Sequence, residues 1–338
     1  MTPYLLSIIC DPEDRSSLTV KHPRFDIHGN YVSGILVSKN GNTYPVRRGI
    51  PRFTGERARV RTMITEAEEH SVFHKNLYKE SWLNEYVKQT FSSEKAFKGK
   101  VVIDCGGGTG YQGTWMVEQG AKHVIILENS QHIDGIARKS TKVHENIDTV
   151  QCSLEALPFK LNSFSGLITC NDVLQHAASF DNSLKSLWGI LKNKGEIVLS
   201  CPVRQSKRWY HKVRYKAVNI GLRRFLSARS VHVTKQYSRV VSLLHLLPLM
   251  NILLIKNKLV HRTTKPSGHF CMHRRYKDAF HHTFEYFAGH KHEHLKTEPE
   301  LKQLIEYLQK NPLYIKNGET FFQNDRPLGL ALRMKKVS

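Results

Sequence analysis

V-V-I-D-C-G-G-G-T-G-Y-Q-G, residues 101–113, is the stretch on which the reading of this chain turns. An apolar, β-prone run leads into Asp104 and Cys105. Gly106, Gly107, Gly108 and Gly110 follow, and the composition then becomes helical through GTWMVEQGA. A strand, a glycine turn and a helix in that order put the turn at the carboxyl end of the strand, where open α/β sheets bind ligands. Glycine serves such a turn because the backbone reverses sharply and a ligand can approach with no Cβ in the way.

The same alternation extends on both sides. Short apolar segments VVIDC, HVIILE, DTVQC, GLITCN and EIVLSC recur between Val101 and Cys201, separated by segments of helical composition such as DNSLKSLWGILKN. Strand and helix in repetition predict a parallel sheet covered on both faces. Asn193, Lys194 and Gly195 punctuate one helix just before the strand that begins at Glu196. The alternation stops after Cys201. It returns with the amphipathic helix TEPELKQLIEYLQK and a closing strand near Leu328 to Met334. The expected fold is α/β: a doubly wound, seven-stranded, mostly parallel sheet with a small β-rich N-terminal domain and a basic helical insertion. The boundaries implied are a leader at 1–55, a helical connector at 56–98, a core at 99–202, the insertion at 203–277, and the C-terminal part of the core fold at 278–338.

Charge is distributed unevenly. The chain carries 51 Lys and Arg against 29 Asp and Glu, a net +22, and from Ile197 to Lys277 there are 18 Lys or Arg and no acid. One strongly cationic segment implies an anionic partner, set against the simpler reading of a solvated basic face. The segment 203–239 mixes these cations with Trp209, Tyr210, Tyr215, Phe225 and Tyr237, and the apolar run LLHLLPLMNILLI, residues 243–255, follows it directly. Thirteen residues with an internal His and Pro cannot span a bilayer, which needs roughly 20, but they can lie on its surface. The six cysteines are scattered without a CxxC pair, which points to a reducing compartment and a cytoplasmic location, with peripheral membrane contact an open alternative from the basic and apolar stretch. The first residues lack a cationic leader and a small-residue cleavage site, so no secretory signal is expected there.

Two cofactor classes use a loop of this kind. Gly108, Gly110 and Gly113 satisfy GxGxxG, the dinucleotide fingerprint, and Glu128 lies 18 residues beyond Gly110. Charge separates the two. A dinucleotide brings an anionic pyrophosphate to the helix N-terminus, whereas Asp104 stands at the strand end four residues before Gly108. At about 6 Å and an effective dielectric near 20, like charges cost on the order of 3 kcal/mol. Asp104 therefore favours a cationic cofactor. Glu128, ending the second strand, can accept both ribose hydroxyls of any adenosine ligand.

These residues resemble the class I S-adenosylmethionine-dependent methyltransferases, of the type 11 kind. D-C-G-G-G-T-G is similar to their acid-x-Gly-x-Gly-x-Gly motif, CSLEALPFKLNSFSGLITCNDVLQHAASF to their third and fourth strands with the Leu-Pro-Phe turn, and LKNKGEIVLS to the approach to the fifth strand. The resemblance covers about residues 100–202. It implies S-adenosyl-L-methionine as cofactor, with Asp104, Gly106, Gly107, Gly108 and Gly110 around the methionine moiety and Glu128, with Asn129 beside it, at the ribose. Ser153 and Leu154 would lie by the adenine and Asn171 near the methyl donor. Ser153 departs from the family, which usually has Asp there; a hydroxyl accepts more weakly than a carboxylate.

The N-terminal segment resembles the zinc-ribbon-like leader of bacterial methyltransferases and the activator subunit of tRNA methyltransferases, with YPVRRGIPRF matching its closing strand. The ligand pairs of that leader would fall near Cys10 to Glu13 and near Val37 to Asn40, and only Cys10 remains. Zinc needs four ligands, so a metal-free relic is expected.

Methyl transfer to a hydroxyl or amine can need a base. His176, in NDVLQHA just past the fourth strand, is the candidate, against the reading that it is one of many structural or surface His among 19. His281, His282 and Glu285 are candidate acceptor-pocket residues. The acceptor expected is a small molecule or anionic glycoconjugate, including a lipid-linked precursor. Contact with an anionic membrane or with RNA stays open, as does RNA methylation. The third alternative is a cofactor-binding pseudoenzyme or activator.

Overall fold

The computed structural model describes residues 1–54, 95–108, 110–129, 133–135, 145–171, 173–201, 215–256, 259–260, 296–308, 313–323 and 326–336, with Val213 and single positions among 79–87 and 276–287. The chain divides into two compact units. One comprises Met1–Arg59, Lys75–Arg204 and His294–Ser338, and the other Val60–His74 and Gln205–Glu293.

The first unit opens with a short helix, α1 (Pro3–Ile8), capped by the Thr2 hydroxyl, which accepts from Leu5 N–H. Four antiparallel strands follow: β1 (Thr19–Phe25), β2 (Tyr31–Val37), β3 (Thr43–Arg47) and β4 (Ile50–Pro51), paired in sequence order. The core strands are β5 (Val101–Cys105), β6 (His123–Glu128), β7 (Ile147–Gln151), β8 (Leu167–Asn171) and β9 (Glu196–Cys201). All five are parallel, as the alternation of apolar runs implies. The helix α2 (Tyr111–Glu118) follows β5, and α3 (Phe180–Ile190) precedes β9. Two further strands, β10 (Leu313–Gln323) and β11 (Arg326–Lys336), form an antiparallel hairpin, and β11 pairs antiparallel with β9. The order across the sheet is β10-β11-β9-β8-β5-β6-β7.

Alternate side chains of the parallel strands enter two separate cores, as strand geometry requires. Ile103, Cys105, Ile125, Leu127, Ile168, Cys170, Ile197 and Leu199 face one way, with Leu184, Leu187 and Ile190 of α3. Val102, Val124, Ile126, Leu167 and Val198 face the other, with Trp115 and Met116 of α2 and with Phe97. Four of the five strands carry three or four apolar residues because neither face meets water, whereas β7 (IDTVQ) is buried with polar side chains. The helix α7 (Glu298–Leu308) adds Leu301 and Leu304 to the first core. Its start carries a capping box: Thr297 Oγ1 accepts from Glu300 N–H at 3.4 Å, while the Glu300 carboxylate accepts from Thr297 N–H at 2.6 Å.

The N-terminal sheet is built onto the core. Arg52 bridges Gln151 in parallel and Phe53 N–H donates to Gln151 O at 2.8 Å, so the chain after β4 covers the free edge of β7. Covering an open edge removes a site for unwanted strand pairing. Cys10, Cys105, Cys152, Cys170 and Cys201 are free and buried, acting as small apolar residues.

In the second unit, a π-helical segment (Tyr215–Leu222) leads into α4 (Arg223–Ala228), α5 (Val231–Leu244) and α6 (Pro248–Lys256). Among the described residues, no helix is long and apolar enough to cross a membrane.

Candidate cofactor site

The chain runs β5, β6, β7 outward to one side and then places β8 on the other side of β5. The sheet therefore has its switch point between β5 and β8, where the carboxyl ends of α/β strands leave a crevice. Asp104, Glu128, Ser153, Asn171 and His176 all lie at or just past the carboxyl ends of β5 to β8.

The glycine loop is tied across that edge. Gly106 and Gly107 N–H both donate to Leu127 O at the end of β6, at 2.8 and 3.2 Å, and Gly110 N–H donates to Gly107 O at 2.7 Å. Two positions show why side chains are excluded. Gly106 has φ +69° and a Cβ there would meet Val173 Cγ2 at 2.5 Å; a Cβ on Gly107 would meet Ile126 Cγ2 at 2.2 Å. Gly108 differs, because the direction its Cβ would take is open, with Gly106 O the nearest atom at 3.8 Å. That opening is where a ligand can approach the backbone.

Asp104 is 3% exposed. Thr169 Oγ1 donates to its Oδ1 at 3.2 Å, and Oδ2 is buried with no hydrogen-bond partner among the described residues. Burial pushes this carboxyl up to about 7 against the opposing Thr169 hydrogen bond, and the nearby Glu128 carboxylate adds to the rise. A buried acid with an unsatisfied oxygen is costly unless a positive or donating group meets it. Glu128, half-buried, accepts from Gly108 N–H at 3.2 Å, and Asn129 Oδ1 next to it is buried without a partner among the described residues.

Ser153 faces its own loop: its hydroxyl accepts from Glu155 N–H at 3.3 Å and lies 3.4 Å from Glu155 Oε2. Glu155 in turn accepts from Ser179 N–H at 2.7 Å, joining this loop to the start of α3. Leu154 packs against the first core. Asn171 Oδ1 accepts from Ser200 Oγ on β9. His176 ends the 3₁₀ turn Leu174–His176, half-buried, with its Nε2 3.3 Å from Gln175 Nε2. His281, His282 and Glu285 lie outside the described residues. Among the described residues no group of three or more His, Cys, Asp or Glu could hold a metal.

Sequence reasoning missed two contributors. Thr169 is the register partner of Asp104, a relation that exists only once β5 and β8 are neighbours. Arg52, in the N-terminal segment, donates to Gln151 Oε1 at 3.0 Å and to Asp134 Oδ1 at 2.7 Å, and Gln151 is the register partner of Glu128. No local signal in YPVRRGIPRF marks that arginine for the core.

Residues 103–199 match the family described as a methyltransferase domain. Over 124 residues the chain is 36% identical to the ubiquinone/menaquinone biosynthesis C-methyltransferase UbiE of Pseudoalteromonas translucida, covering 33% of this chain and 46% of that protein. Over 116 residues it is 34% identical to the tRNA U34 carboxymethyltransferase of Psychrobacter cryohalolentis, covering 30% of this chain and 32% of that protein. The chain thus spans less than half the length of these curated relatives. A crystal structure of an S-adenosylmethionine-dependent methyltransferase from Mesorhizobium loti is similar at 14% identity, with a TM-score of 0.42, covering 73% of this chain and 98% of that one.

Proposed function

We propose that this chain is an S-adenosylmethionine-dependent methyltransferase whose cofactor lies along the carboxyl edge of β5 to β8. The observation that carries the reading is Asp104: a buried carboxylate at the strand end, beside an open glycine loop, with one oxygen unsatisfied. The residues fit the group on chemical grounds, because a sulfonium and an ammonium supply the positive charge that this oxygen lacks, whereas a pyrophosphate would oppose it. The match of 103–199 to a methyltransferase domain supports the same assignment.

When bound, the cofactor supplies a methyl group on a positively charged sulfur, open to in-line displacement. The chain's part is to align and to exclude water. Asp104 and the loop of Gly106, Gly107, Gly108 and Gly110 hold the methionine end, and Glu128 with Asn129 holds the ribose. Ser153 and Leu154 border the adenine, and Asn171 borders the donor. His176 takes the proton from a hydroxyl or amine acceptor as it is methylated.

For the acceptor, the reading is an anionic glycoconjugate, a lipid-linked precursor or a related small molecule, supported by the acid-free cationic stretch from Ile197 to Lys277. RNA is the second reading, supported by the tRNA-modifying relative. Incubating the protein with S-adenosylmethionine carrying a labelled methyl group and a cell extract separates them. Label in a nuclease-resistant, acidic glycan or lipid fraction supports the first; label released by ribonuclease replaces it with the second.

A further inference from the structure

The second unit leaves an apolar surface outside its own core. On α5, Val233, Val240 and Leu243 share one face at helical spacing, and they are 40%, 55% and 62% exposed. The turn continues the stripe through Leu247, and on α6 Leu249, Ile252 and Leu253 recur at i, i+3 and i+4, with Leu249 80% exposed. Inward packing does not account for these residues. The same two helices already bury Val241 and Leu254 against Val260 and Ala279, with Tyr237, Leu244 and Met250 beside them. The hairpin is thus apolar on two sides, and folding uses one.

What surrounds the stripe identifies its partner. His232, Arg239 and Lys256 are exposed on the same helices, and Lys216, Arg224 and Arg229 are exposed on the preceding elements. No Asp or Glu occurs anywhere from Ile197 to Lys277. A second copy of the chain would bring the same cations to the contact, and like charges facing each other oppose association. Helices that carry cations and no acid beside a patch of leucine and isoleucine match an anionic lipid surface, where cations meet headgroups and aliphatic side chains enter the acyl boundary. Single-stranded RNA would call for aromatic rings to stack on bases. The exposed residues of the stripe are all aliphatic.

We propose that the α5–α6 hairpin is a membrane-docking element that lies in the surface of an anionic bilayer, with Leu243, Leu247, Leu249, Ile252 and Leu253 inserted and Arg239 and Lys256 at the headgroups. The nine residues of α6 are far short of a span, so attachment is peripheral and reversible. Each cation near such a surface multiplies partitioning roughly fivefold at low salt, and the aliphatic residues make part of the binding resistant to salt. This goes beyond the methyltransferase reading and does not depend on it.

The test is co-sedimentation of the full chain with vesicles of phosphatidylcholine alone and with about a third phosphatidylglycerol. The variants are a triple, Leu247→Ser with Leu249→Ser and Ile252→Ser, and a charge pair, Arg239→Glu with Lys256→Glu. All five positions are intermediate to highly exposed or at helix ends, and unchanged melting confirms that the fold is kept. Docking predicts binding to the anionic vesicles only, reduced about tenfold or more by each variant. Absence of binding to anionic vesicles overturns the proposal. So does binding that the triple leaves intact while the charge pair abolishes it together with binding to an RNA oligonucleotide. A dimer that the triple converts to monomer, with no vesicle binding in the wild type, assigns the stripe to a second copy of the chain and equally overturns it.

Discussion

Thr169 Oγ1 donates to Asp104 Oδ1 at 3.2 Å across the register of two neighbouring parallel strands, and the other oxygen of that carboxylate is buried with no hydrogen-bond partner among the described residues. The unsatisfied oxygen lies beside the glycine loop, 3.8 Å from where a Cβ on Gly107 would stand. Its cost to the ligand-free protein and its use to a cationic ligand are two sides of one arrangement.

The first prediction follows from that cost. The folded carboxyl holds its proton up to about 7, against an ordinary value of 3.8, so between these the folded state binds more protons than the unfolded state. Stability from this group is therefore full below about pH 4 and is lost as pH rises toward 7, a loss on the order of 4 kcal/mol. Asp104→Asn removes the ionisation. Urea unfolding of the ligand-free protein is expected to show the variant more stable than wild type near pH 8, with the advantage shrinking as pH falls and gone below about pH 4. The same variant should bind S-adenosylhomocysteine more weakly, and wild-type affinity should rise with pH up to about 7 and then level off.

Gly107→Ala is expected to harm both fold and site. The new methyl would stand 2.2 Å from Ile126 Cγ2, a fully buried β-branched residue with no room to move, and 3.8 Å from Asp104 Oδ2. Overpacking of this kind costs about 1–3 kcal/mol. A melting temperature lowered by several degrees, with cofactor affinity reduced further than the stability loss explains, is the expected result.

Arg52→Ala should loosen the ribose side of the edge from outside the core domain. The guanidinium joins the N-terminal segment to both Asp134 and Gln151, and it is only 13% exposed. Removing a charge-assisted, largely buried contact costs about 2 kcal/mol. Hydrogen exchange should report faster opening along β7, where the arginine bridges, and little change in α3.

His176→Ala separates chemistry from binding. If the imidazole takes a proton from the acceptor, turnover falls by about 100-fold or more while S-adenosylhomocysteine binds as before. Unchanged turnover would remove His176 from the mechanism.

Much of the fold is legible in the sequence because its signals are local. Four of the five parallel strands announce themselves by apolar runs, β7 (IDTVQ) being buried yet largely polar, and the glycines after Asp104 mark the turn at the edge. The strand Leu313–Gln323 was not legible: its sequence, LYIKNGETFFQ, carries an Asn-Gly turn signal in the middle and mixes charge with aromatic residues. The helix Pro3–Ile8 was missed because it is short and held by Thr2, whose hydroxyl both caps the helix and donates to the buried Asp148 at 2.5 Å. Asp104, Glu128 and the glycines could be chosen from position and charge alone. Thr169 and Arg52 could not, because each acts through a neighbour supplied by tertiary pairing.

The most direct measurement is calorimetric titration of the purified wild-type chain near pH 8 with S-adenosylhomocysteine and, separately, with an oxidised nicotinamide dinucleotide. The account predicts saturable one-to-one uptake of the sulfur-containing nucleoside, weakened by Asp104→Asn, and no heat from the dinucleotide. Heat from the dinucleotide with none from S-adenosylhomocysteine would contradict it.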